Sequence, residues 1–507
     1  MIYSNSPRKV LLYFPETNEA SKMIAPPLSL LAIGAVAEQH GYEVRIFDKR
    51  VDKNAGSLLL HEIEDALCVG ITSLTGHQIQ DGRILSRKIK EKKRSVPVVW
   101  GGWHPSLLPE QTLSDPHIDF VVRGQGELTF IALLDAFKRK NEKFDSIAGL
   151  LFKKDGKIID NGMRELTDIN QFPSLAYHLI DLRNYPGRPS EPNAVYTTIR
   201  TQQGCPYRCE FCAEPIVYKR RTSRYTPQRT AEEVERLVRN YGVTEISFQD
   251  PTFILSLNHT KSFCNELIQR RLKIKWTATA RYTTIADMDD ESLRLLKDSG
   301  CYMVHPGVEA GSQEMMDAIK KDQKLDRLME CVEKLARFKI KGLYSFIVGL
   351  PGEPEGEISK VFRIVRQIKE IDTDAIVPVN FYTPYPGSPL YRKAIELGFK
   401  EPVNLEDWKD FSARKNRMPW VTSKMEDEVM KKDKYYLPAA FPSDILKQKM
   451  SKGQFKWLYR FLHKIAHFRV KRDWYRFDID WKLLLAYWKF WEKYHKRIPL
   501  HNIHFRW

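Results

Sequence analysis

The stretch Thr201-Gln-Gln-Gly-Cys205-Pro-Tyr-Arg-Cys209-Glu-Phe-Cys212 carries three cysteines within eight residues, at spacing C-x3-C-x2-C. It follows directly on the apolar run Val195–Ile199, so it falls in the loop after a predicted strand. Three thiolates at this spacing can hold three irons of a [4Fe–4S] cube and leave the fourth iron open to another ligand. Zinc is the alternative, but structural zinc takes four ligands, and a fourth Cys or His at finger-like spacing is missing here. The stretch predicts an iron–sulfur site on Cys205, Cys209 and Cys212.

The chain beyond this loop alternates between short apolar strands and helical segments. Helices are predicted at Ala231–Arg239 and Glu291–Lys297, between strands. The predicted strands are centred near Thr197, Ile246, Thr277, Val304, Phe346 and Ile376. Six βα units without a nucleotide-fold glycine fingerprint indicate a partial (β/α)6 barrel of the TIM type, whose chemistry lies at the carboxyl ends of the strands. The cysteine loop then follows the first barrel strand.

A separate βα series precedes the barrel. Its apolar runs are Val10–Phe14, Val44–Phe47, Cys68–Ile71, Val96–Trp100 and Phe120–Val122, with a helix predicted over Leu28–His40. Such alternation predicts a parallel, doubly wound, Rossmann-like sheet. Ligands bind beyond the carboxyl ends of the strands in these sheets. A cofactor is therefore expected against the segments Thr72–His77, Gly101–Pro105 and Gly124–Glu127.

These patterns divide the chain into four parts. Residues 1–140 form the first α/β domain, and residues 141–190 form a linker with a hairpin at Leu150–Asn161, around Asp155-Gly156. Residues 191–400 form the barrel, and residues 401–507 are expected to be mainly helical.

Composition narrows the class of protein. The 507 residues are 42% hydrophobic and 29% charged, which excludes a small stapled scaffold and general disorder. No run approaches the 18 apolar residues of a spanning helix, and the start lacks a signal-peptide core, so we expect a cytoplasmic protein. The remaining cysteines stand singly in apolar surroundings and are expected to be buried thiols: Cys68, Cys264, Cys301 and Cys331.

The basic charge is concentrated at the end of the chain. The formal net charge is +17, and residues 451–507 hold 14 Lys and Arg against four Asp and Glu. Six of the eleven tryptophans lie there, and Trp474, Trp481, Trp488 and Trp491 would share one face of a helix. This pattern fits packing on the barrel, contact with an anionic membrane or a lipid substrate, or nucleic-acid binding. Nucleic acid is the least favoured, because no recognised RNA-binding module accompanies the charge.

Taken together, these motifs resemble the radical S-adenosylmethionine (SAM) superfamily, whose signature is this cysteine spacing with an aromatic residue, here Phe211, before the last cysteine. The segments at the predicted strand ends resemble that family's SAM-contacting positions: Asp250–Phe253, Gly307–Ser312 and Gly349–Glu353. The first domain resembles the cobalamin-binding domain of one large subfamily, through Pro27-Leu28, Gly101–Pro105 and Gly124–Glu127. The hairpin and the stretch Phe172–Leu182 match that subfamily's linker, and the resemblance covers residues 8–395.

The resemblance implies a set of cofactor contacts. On the SAM side these are Phe211, Asp250, Arg281, Glu309, Gly352 and Glu353. On the cobalamin side they are Ser73, Thr75, Gly101, Gly102, His104, Gly124, Gly126 and Glu127. Glu309 would bind the ribose or amino group of SAM, or pair with a nearby base; Arg281 would hold the SAM carboxylate or make a structural ion pair. Gly352-Glu353 could equally be a turn and helix start.

One departure from the related enzymes concerns cobalt. Many cobalamin-binding enzymes carry an Asp-x-His-x-x-Gly motif after the first strand, whereas this chain reads Pro15-Glu-Thr-Asn-Glu-Ala20, without histidine. We therefore expect base-off cobalamin with no histidine from that motif below cobalt, which favours methyl transfer. His77 and His104 lie in loops that could reach the cofactor, although a loop histidine is more often a surface or tail-contacting residue.

The implied activity is that of a cobalamin-dependent radical SAM enzyme. It would cleave SAM to a 5′-deoxyadenosyl radical with electrons from a flavodoxin- or ferredoxin-type donor, and methylate an unactivated carbon of a small-molecule or lipid-like substrate. The alternatives are a ring-forming or rearranging enzyme of the anaerobic cyclase type, without methyl transfer, and a non-catalytic cobalamin or iron–sulfur binding protein. Tyr382 and Tyr385 could line the substrate entrance, or simply pack. The membrane reading of the tail would place the enzyme at the inner membrane face.

Overall fold

The computed structural model describes residues 8–17, 24–139, 143–187, 190–191, 193–411, 418–453 and 456–486. The strands are β1 (Lys9–Phe14), β2 (Glu43–Asp48), β3 (Ala66–Thr72), β4 (Val98–Gly101), β5 (Phe120–Val122), β6 (Leu150–Lys154), β7 (Lys157–Asp160), β8 (Tyr196–Ile199), β9 (Gln202–Gln203), β10 (Ser223–Arg224), β11 (Glu245–Phe248), β12 (Lys275–Ala280), β13 (Cys301–Glu309), β14 (Lys341–Gly342), β15 (Ser345–Val348) and β16 (Val379–Phe381). The helices are α1 (Leu28–Gln39), α2 (Ala55–His61), α3 (His77–Lys92), α4 (Trp103–Leu107), α5 (Pro109–Leu113), α6 (Glu127–Lys138), α7 (Glu214–Val217), α8 (Pro227–Tyr241), α9 (Leu257–Gln269), α10 (Tyr282–Ala286), α11 (Asp290–Asp298), α12 (Gln313–Ala318), α13 (Leu328–Arg337), α14 (Glu357–Ile371), α15 (Pro389–Glu396), α16 (Ser423–Lys431), α17 (Leu437–Ala440), α18 (Asp444–Lys452) and α19 (Lys456–Arg472).

The first sheet has the order β2-β1-β3-β4-β5-β6-β7, and β1 to β5 run parallel. Alternate residues of β1 face opposite sides: Val10 packs in the core with α1 and α6, whereas Leu11 packs in the core with α2 and α3. Helices therefore cover both faces, and the predicted doubly wound fold is confirmed. The strand order reverses between β1 and β3, the topology that opens a crevice at the carboxyl ends.

The predicted hairpin forms β6 and β7 and joins this same sheet, with β6 antiparallel to β5. Asp155 and Gly156 both adopt left-handed backbone angles, with φ of 51° and 74°, as a two-residue hairpin turn requires. The first sheet therefore includes two strands beyond residue 140, the predicted end of the first domain.

The second sheet has the order β16-β15-β13-β12-β11-β8, with parallel neighbours throughout and β14 paired to β13. The predicted partial barrel is confirmed. Its sixth strand was expected near Ile376, but β16 begins at Val379, and Ile376 makes only an isolated bridge with Leu343. Pro378 explains the offset, because a proline has no N–H to continue the ladder.

The C-terminal region is helical, as predicted, with a π-helical turn at Lys432–Tyr436 between α16 and α17. The prediction that Trp474 and Trp481 share one face of a single helix is wrong. Trp474 lies in a turn after α19, and Trp481 lies in the next helical segment, 479–486, with its side chain buried. Trp488, Trp491 and Trp507 lie outside the described residues. Within the part of the chain that the structure describes, no helix is long and apolar enough to cross a membrane.

Candidate functional site

The cysteine loop leaves the carboxyl end of β8, the first barrel strand. Cys205, Cys209 and Cys212 are partly exposed thiols, unpaired by disulfides. Burial raises the pKa of Cys209 and raises the pKa of Cys212 to about 12. Among the described residues, no group of three or more His, Cys, Asp or Glu is placed to hold a single metal ion. Three thiols of one loop, each able to bond a different iron, fit a cluster.

Asp250 fixes the start of this loop. It follows β11, and its Oδ1 accepts hydrogen bonds from the backbone N–H groups of Thr201 at 2.6 Å and Gln202 at 2.8 Å. Its Oδ2 accepts from the Thr201 hydroxyl at 2.6 Å. The carboxyl is buried, and burial raises its pKa to about 6. Asp250 is among the residues predicted to contact SAM, but here both carboxyl oxygens bind the cysteine loop.

The segment 319–322 holds the same loop from the opposite side. The backbone N–H of Glu210 donates to the Ile319 carbonyl at 3.0 Å. The Arg208 guanidinium pairs with Asp322 at 2.9 Å. Together with Asp250, these contacts fix the loop at both ends without using the cysteine thiols.

Arg281 lies between the cysteine loop and the same segment. Its side chain is buried, donates to the carbonyl of Lys321, and lies 3.8 Å from the ring centroid of Tyr207. The guanidinium that the resemblance assigns to the SAM carboxylate is therefore in contact with the loop itself. These contacts are with backbone carbonyls and an aromatic ring, not the ion pair that was the structural alternative for Arg281.

Glu309 ends β13 next to the cysteine loop. Its backbone is left-handed, with φ of 76°, and its Oε1 accepts from Lys321 Nζ at 2.9 Å. Lys321 is nearly buried, and its Nζ lies 5.8 Å from the ring centroid of Phe211. The Lys321 charge also acts on the thiol of Cys209, lowering the pKa that burial raises. Sequence reasoning missed Lys321, which the fold brings to Glu309 from twelve residues away.

The Gly352-Glu353 pair forms the turn after β15. Gly352 has a left-handed φ of 77°, and Glu353 Oε2 accepts from the backbone N–H of Leu350 at 3.0 Å. Burial raises the pKa of Glu353 to about 7. The missed residue here is Glu357, whose carboxylate accepts from Gly311 N–H at 2.8 Å and from the Ser312 hydroxyl at 2.8 Å. Glu357 thereby ties the end of β13 to α14.

A cavity of about 650 Å³ lies where the carboxyl ends of the first sheet face the barrel. This volume falls within the range of small-molecule and cofactor sites. Among the residues predicted to bind cobalamin, those that line it are Gly101, Gly102, Gly124, Gly126 and Glu127. The barrel contributes Thr198, Arg200, Gln203 and Gln249 to the wall, and no histidine is found among the described residues that line it.

Ser73, Thr75 and His104 do not line this cavity. His104 is fully buried, its Nδ1 lies 3.1 Å from the Thr75 hydroxyl, and its ring packs 5.4 Å from that of Trp408. Burial lowers the pKa of His104 to about 3. The Ser73 hydroxyl donates to the carbonyl of Leu74 at 2.9 Å. His77 begins α3 and also lies away from the cavity wall.

Gln203 connects the cavity to the cysteine loop. Its Nε2 donates to Glu127 at 2.9 Å, and its Oε1 accepts from Gln125 at 2.8 Å. Gln125 lies in the loop between β5 and α6, Glu127 is the first residue of α6, and both line the cavity. Burial raises the pKa of Glu127. Because Gln203 stands two residues before Cys205, the cavity and the cysteine loop share one hydrogen-bonded wall.

Comparison with known proteins places both domains. The radical SAM superfamily model matches residues 199–365, and the B12 binding domain model matches residues 18–134. The uncharacterized methyltransferase PH0819 of Pyrococcus horikoshii is 31% identical over 396 residues, covering 76% of this chain and 83% of that protein. The anaerobic magnesium-protoporphyrin IX monomethyl ester cyclase of Cereibacter sphaeroides is 27% identical over 302 residues, covering 58% of this chain and 48% of that protein. The structure of the radical SAM methyltransferase TsrM from Kitasatospora setae, with cobalamin and a [4Fe–4S] cluster bound, is similar with a TM-score of 0.65 and 17% identity, covering 92% of this chain and 99% of that one.

A cobalamin-type sheet joined to a partial barrel with a three-cysteine loop defines the class of cobalamin-dependent radical SAM enzymes. The chain belongs to the radical SAM superfamily, in the branch that carries a B12-binding domain. It is a methyltransferase-like enzyme, and the predicted family, fold and cofactor set of SAM, [4Fe–4S] cluster and cobalamin are confirmed.

Proposed function

We propose that the chain methylates an unactivated carbon of a small-molecule or lipid-like substrate, with the cluster held by Cys205, Cys209 and Cys212. When bound, the cluster supplies the electron that cleaves SAM to a 5′-deoxyadenosyl radical, and cobalamin supplies the methyl group. An external donor of the flavodoxin or ferredoxin type would deliver that electron. The chain's own residues position these groups and exclude water.

The observation that carries this proposal is the wall shared through Gln203. Methyl transfer from cobalamin to a carbon radical needs both cofactors near one substrate, and the cavity and the cysteine loop meet at this side chain. Glu127 accepts a hydrogen bond from the amide nitrogen of Gln203, and Gln125 donates one to its amide oxygen, so both ends of the amide are held. These hydrogen bonds join the first domain to the barrel next to the cysteine loop, where both cofactors would have to approach the substrate.

Contacts within the chain position the cysteine loop. Asp250 holds its first residues, and the Arg208–Asp322 pair holds its middle. The Lys321–Glu309 pair places a cation and a carboxylate beside Cys209. Lys321 and Glu309 would contact SAM from the segment 319–322 and from the end of β13 once the open iron is occupied.

The interior of the barrel supports a substrate with hydrogen-bonding groups. Ser247 alternates with the core residues of β11 and therefore faces the interior. Gln249, directly after β11, lines the cavity and donates to Ser247 at 2.9 Å. His305 follows the core residue Val304 in β13 and therefore faces inward as well. Its buried Nε2 has no hydrogen-bond partner within the described chain, and burial lowers its pKa to about 4. A neutral imidazole of this kind can bind a polar substrate group.

A ring-forming reaction is the second candidate, supported by the likeness to the anaerobic cyclase of Cereibacter sphaeroides. The two candidates share the cysteine site and differ in whether a methyl group leaves cobalamin. They are distinguished by the products formed from SAM.

The test of the cysteine site is anaerobic reconstitution. The chain should take up about four iron and four sulfide, and reduction in the presence of SAM should release 5′-deoxyadenosine. The triple variant Cys205→Ala, Cys209→Ala, Cys212→Ala should lose both properties. Cys331→Ala, which changes a buried thiol outside the loop, is the matched control and should keep them. A full cluster in the triple variant would show that Cys205, Cys209 and Cys212 do not hold it.

A further inference from the structure

The helix α19 has an unusual charge for a surface helix. Its 17 residues contain six Lys and Arg and no Asp or Glu. One of the six, Arg469, turns inward and pairs with Asp480 at 3.0 Å. The other five are exposed: Lys456, Arg460, Lys464, Lys471 and Arg472.

The same helix exposes a row of aromatic side chains. Trp457, Phe461 and Phe468 are 67%, 58% and 46% exposed. At 3.6 residues per turn these positions fall within about 40° of one another around the axis, so they form one stripe. Trp474, also exposed, continues the stripe, because its ring lies 6.2 Å from that of Phe468. Isolated apolar residues on a surface are ordinary, but an aligned stripe is typical of an interaction site.

The opposite side of α19 is fixed to the protein. Ala466 and Val470 are buried in the main core, and the helix packs against α17 and α18. The stripe is therefore held outward by the fold. Cations lie along both sides of it, and the Arg472 guanidinium lies 4.6 Å from the Phe468 ring centroid.

We propose that α19 docks the enzyme on the surface of an anionic lipid bilayer. Aromatic rings in such helices lie at the level of the headgroups, and each nearby Lys or Arg adds about 1 kcal/mol of attraction to anionic lipid. The same region of the chain also exposes aliphatic side chains, Leu458 in α19 and Ile479 and Leu483 after it. Aliphatic groups cannot stack on bases but can enter the acyl boundary, which favours lipid over nucleic acid.

The proposal is independent of the proposed reaction, and its test uses the full chain without cofactors. Binding is measured by co-sedimentation with vesicles of phosphatidylcholine alone and of phosphatidylcholine mixed with phosphatidylglycerol, at low and high salt. The protein should bind the mixed vesicles, release them at high salt, and show a blue shift of tryptophan emission that is reduced in Trp457→Phe.

Two variants separate the contributions. Trp457→Ser with Phe461→Ser and Phe468→Ser removes the stripe, and Arg460→Glu with Lys464→Glu reverses two charges; each should weaken binding roughly tenfold or more. Val403→Ser is the control, because Val403 is 78% exposed and lies outside this region. It should bind like the unchanged protein.

Unchanged vesicle binding in both variants would overturn the proposal. Equal binding to neutral and anionic vesicles, or binding to RNA without binding to vesicles, would also overturn it. If the stripe variant fails to fold, judged by its circular dichroism, the charge-reversal variant decides the result alone.

Discussion

Replacing Gly204 with alanine tests the geometry of the cysteine loop. Gly204 stands directly before Cys205 with a left-handed φ of 76°, and a Cβ built there would lie 2.1 Å from the carbonyl oxygen of Arg221. An alanine in this conformation costs about 1–2 kcal/mol. The contact must also open by about 1 Å, and overpacking of this kind adds roughly 1–3 kcal/mol. We expect Gly204→Ala to lose about 2–5 kcal/mol of the free energy of unfolding.

The matched control is Gly242→Ala. Gly242 ends α8 with a similar φ of 65°, but a Cβ there would meet nothing within 4 Å. It should therefore lose only the conformational part, about 1–2 kcal/mol. Both variants are compared by urea unfolding and by iron and sulfide content after anaerobic reconstitution. Gly204→Ala should also bind less cluster. Equal stability and equal iron content in the two variants would show that the Arg221 contact does not constrain the loop.

Further predictions concern charges and packing. Burial raises the pKa of Glu353 to about 7, so its folded-state pKa exceeds the unfolded value; it adds stability below about pH 4.5 that is lost as pH rises through 7. Glu353→Gln should remove this pH-dependent contribution to the free energy of unfolding, which amounts to up to about 3 kcal/mol. If stability still falls equally steeply between pH 4.5 and 7, Glu353 is not the group responsible. Lys321→Met leaves the buried Glu309 carboxylate unpaired and should cost about 3–5 kcal/mol, most of it recovered by adding Glu309→Gln; a double variant as unstable as the single one would refute the pairing. Trp481→Ala should cost about 3–5 kcal/mol because Trp481 is only 1% exposed, whereas Trp457→Ala should stay within about 0.5 kcal/mol, both read from thermal unfolding.

The strands could be predicted where the signal was local. The apolar run Val10–Phe14 became β1 and Phe120–Val122 became β5, because buried parallel strands are continuous apolar segments. The sixth barrel strand was misplaced, since the apolar residues near Ile376 precede a proline that interrupts the ladder.

The tryptophan periodicity was misleading for a tertiary reason. The chain turns after α19 because the buried Arg469 guanidinium donates to the carbonyls of Arg476 and Phe477, each at 2.9 Å. A seven-residue repeat carries no information about such a contact. The spacing of Trp474 and Trp481 therefore predicted one helix where the structure has a turn between them.

The position of the cysteine loop after the first barrel strand could be predicted from the sequence, but the contacts that hold the loop could not. Gln203 meets Glu127 across 76 residues, and Glu357 meets Gly311 across 46. Such pairs leave no local pattern in a single sequence. His104 was predicted to contact cobalamin because of its place in the Gly101–Pro105 motif. In the structure it packs against Trp408 and does not line the cavity.

We propose that one site joins radical SAM cleavage to methyl transfer through cobalamin. The most direct measurement supplies the reconstituted, reduced enzyme with cobalamin and SAM carrying a trideuterated methyl group, and follows both products by mass spectrometry. We expect the same preparation to form labelled methylcobalamin and to release 5′-deoxyadenosine. Release of 5′-deoxyadenosine with no label on cobalamin would contradict it and favour the ring-forming candidate.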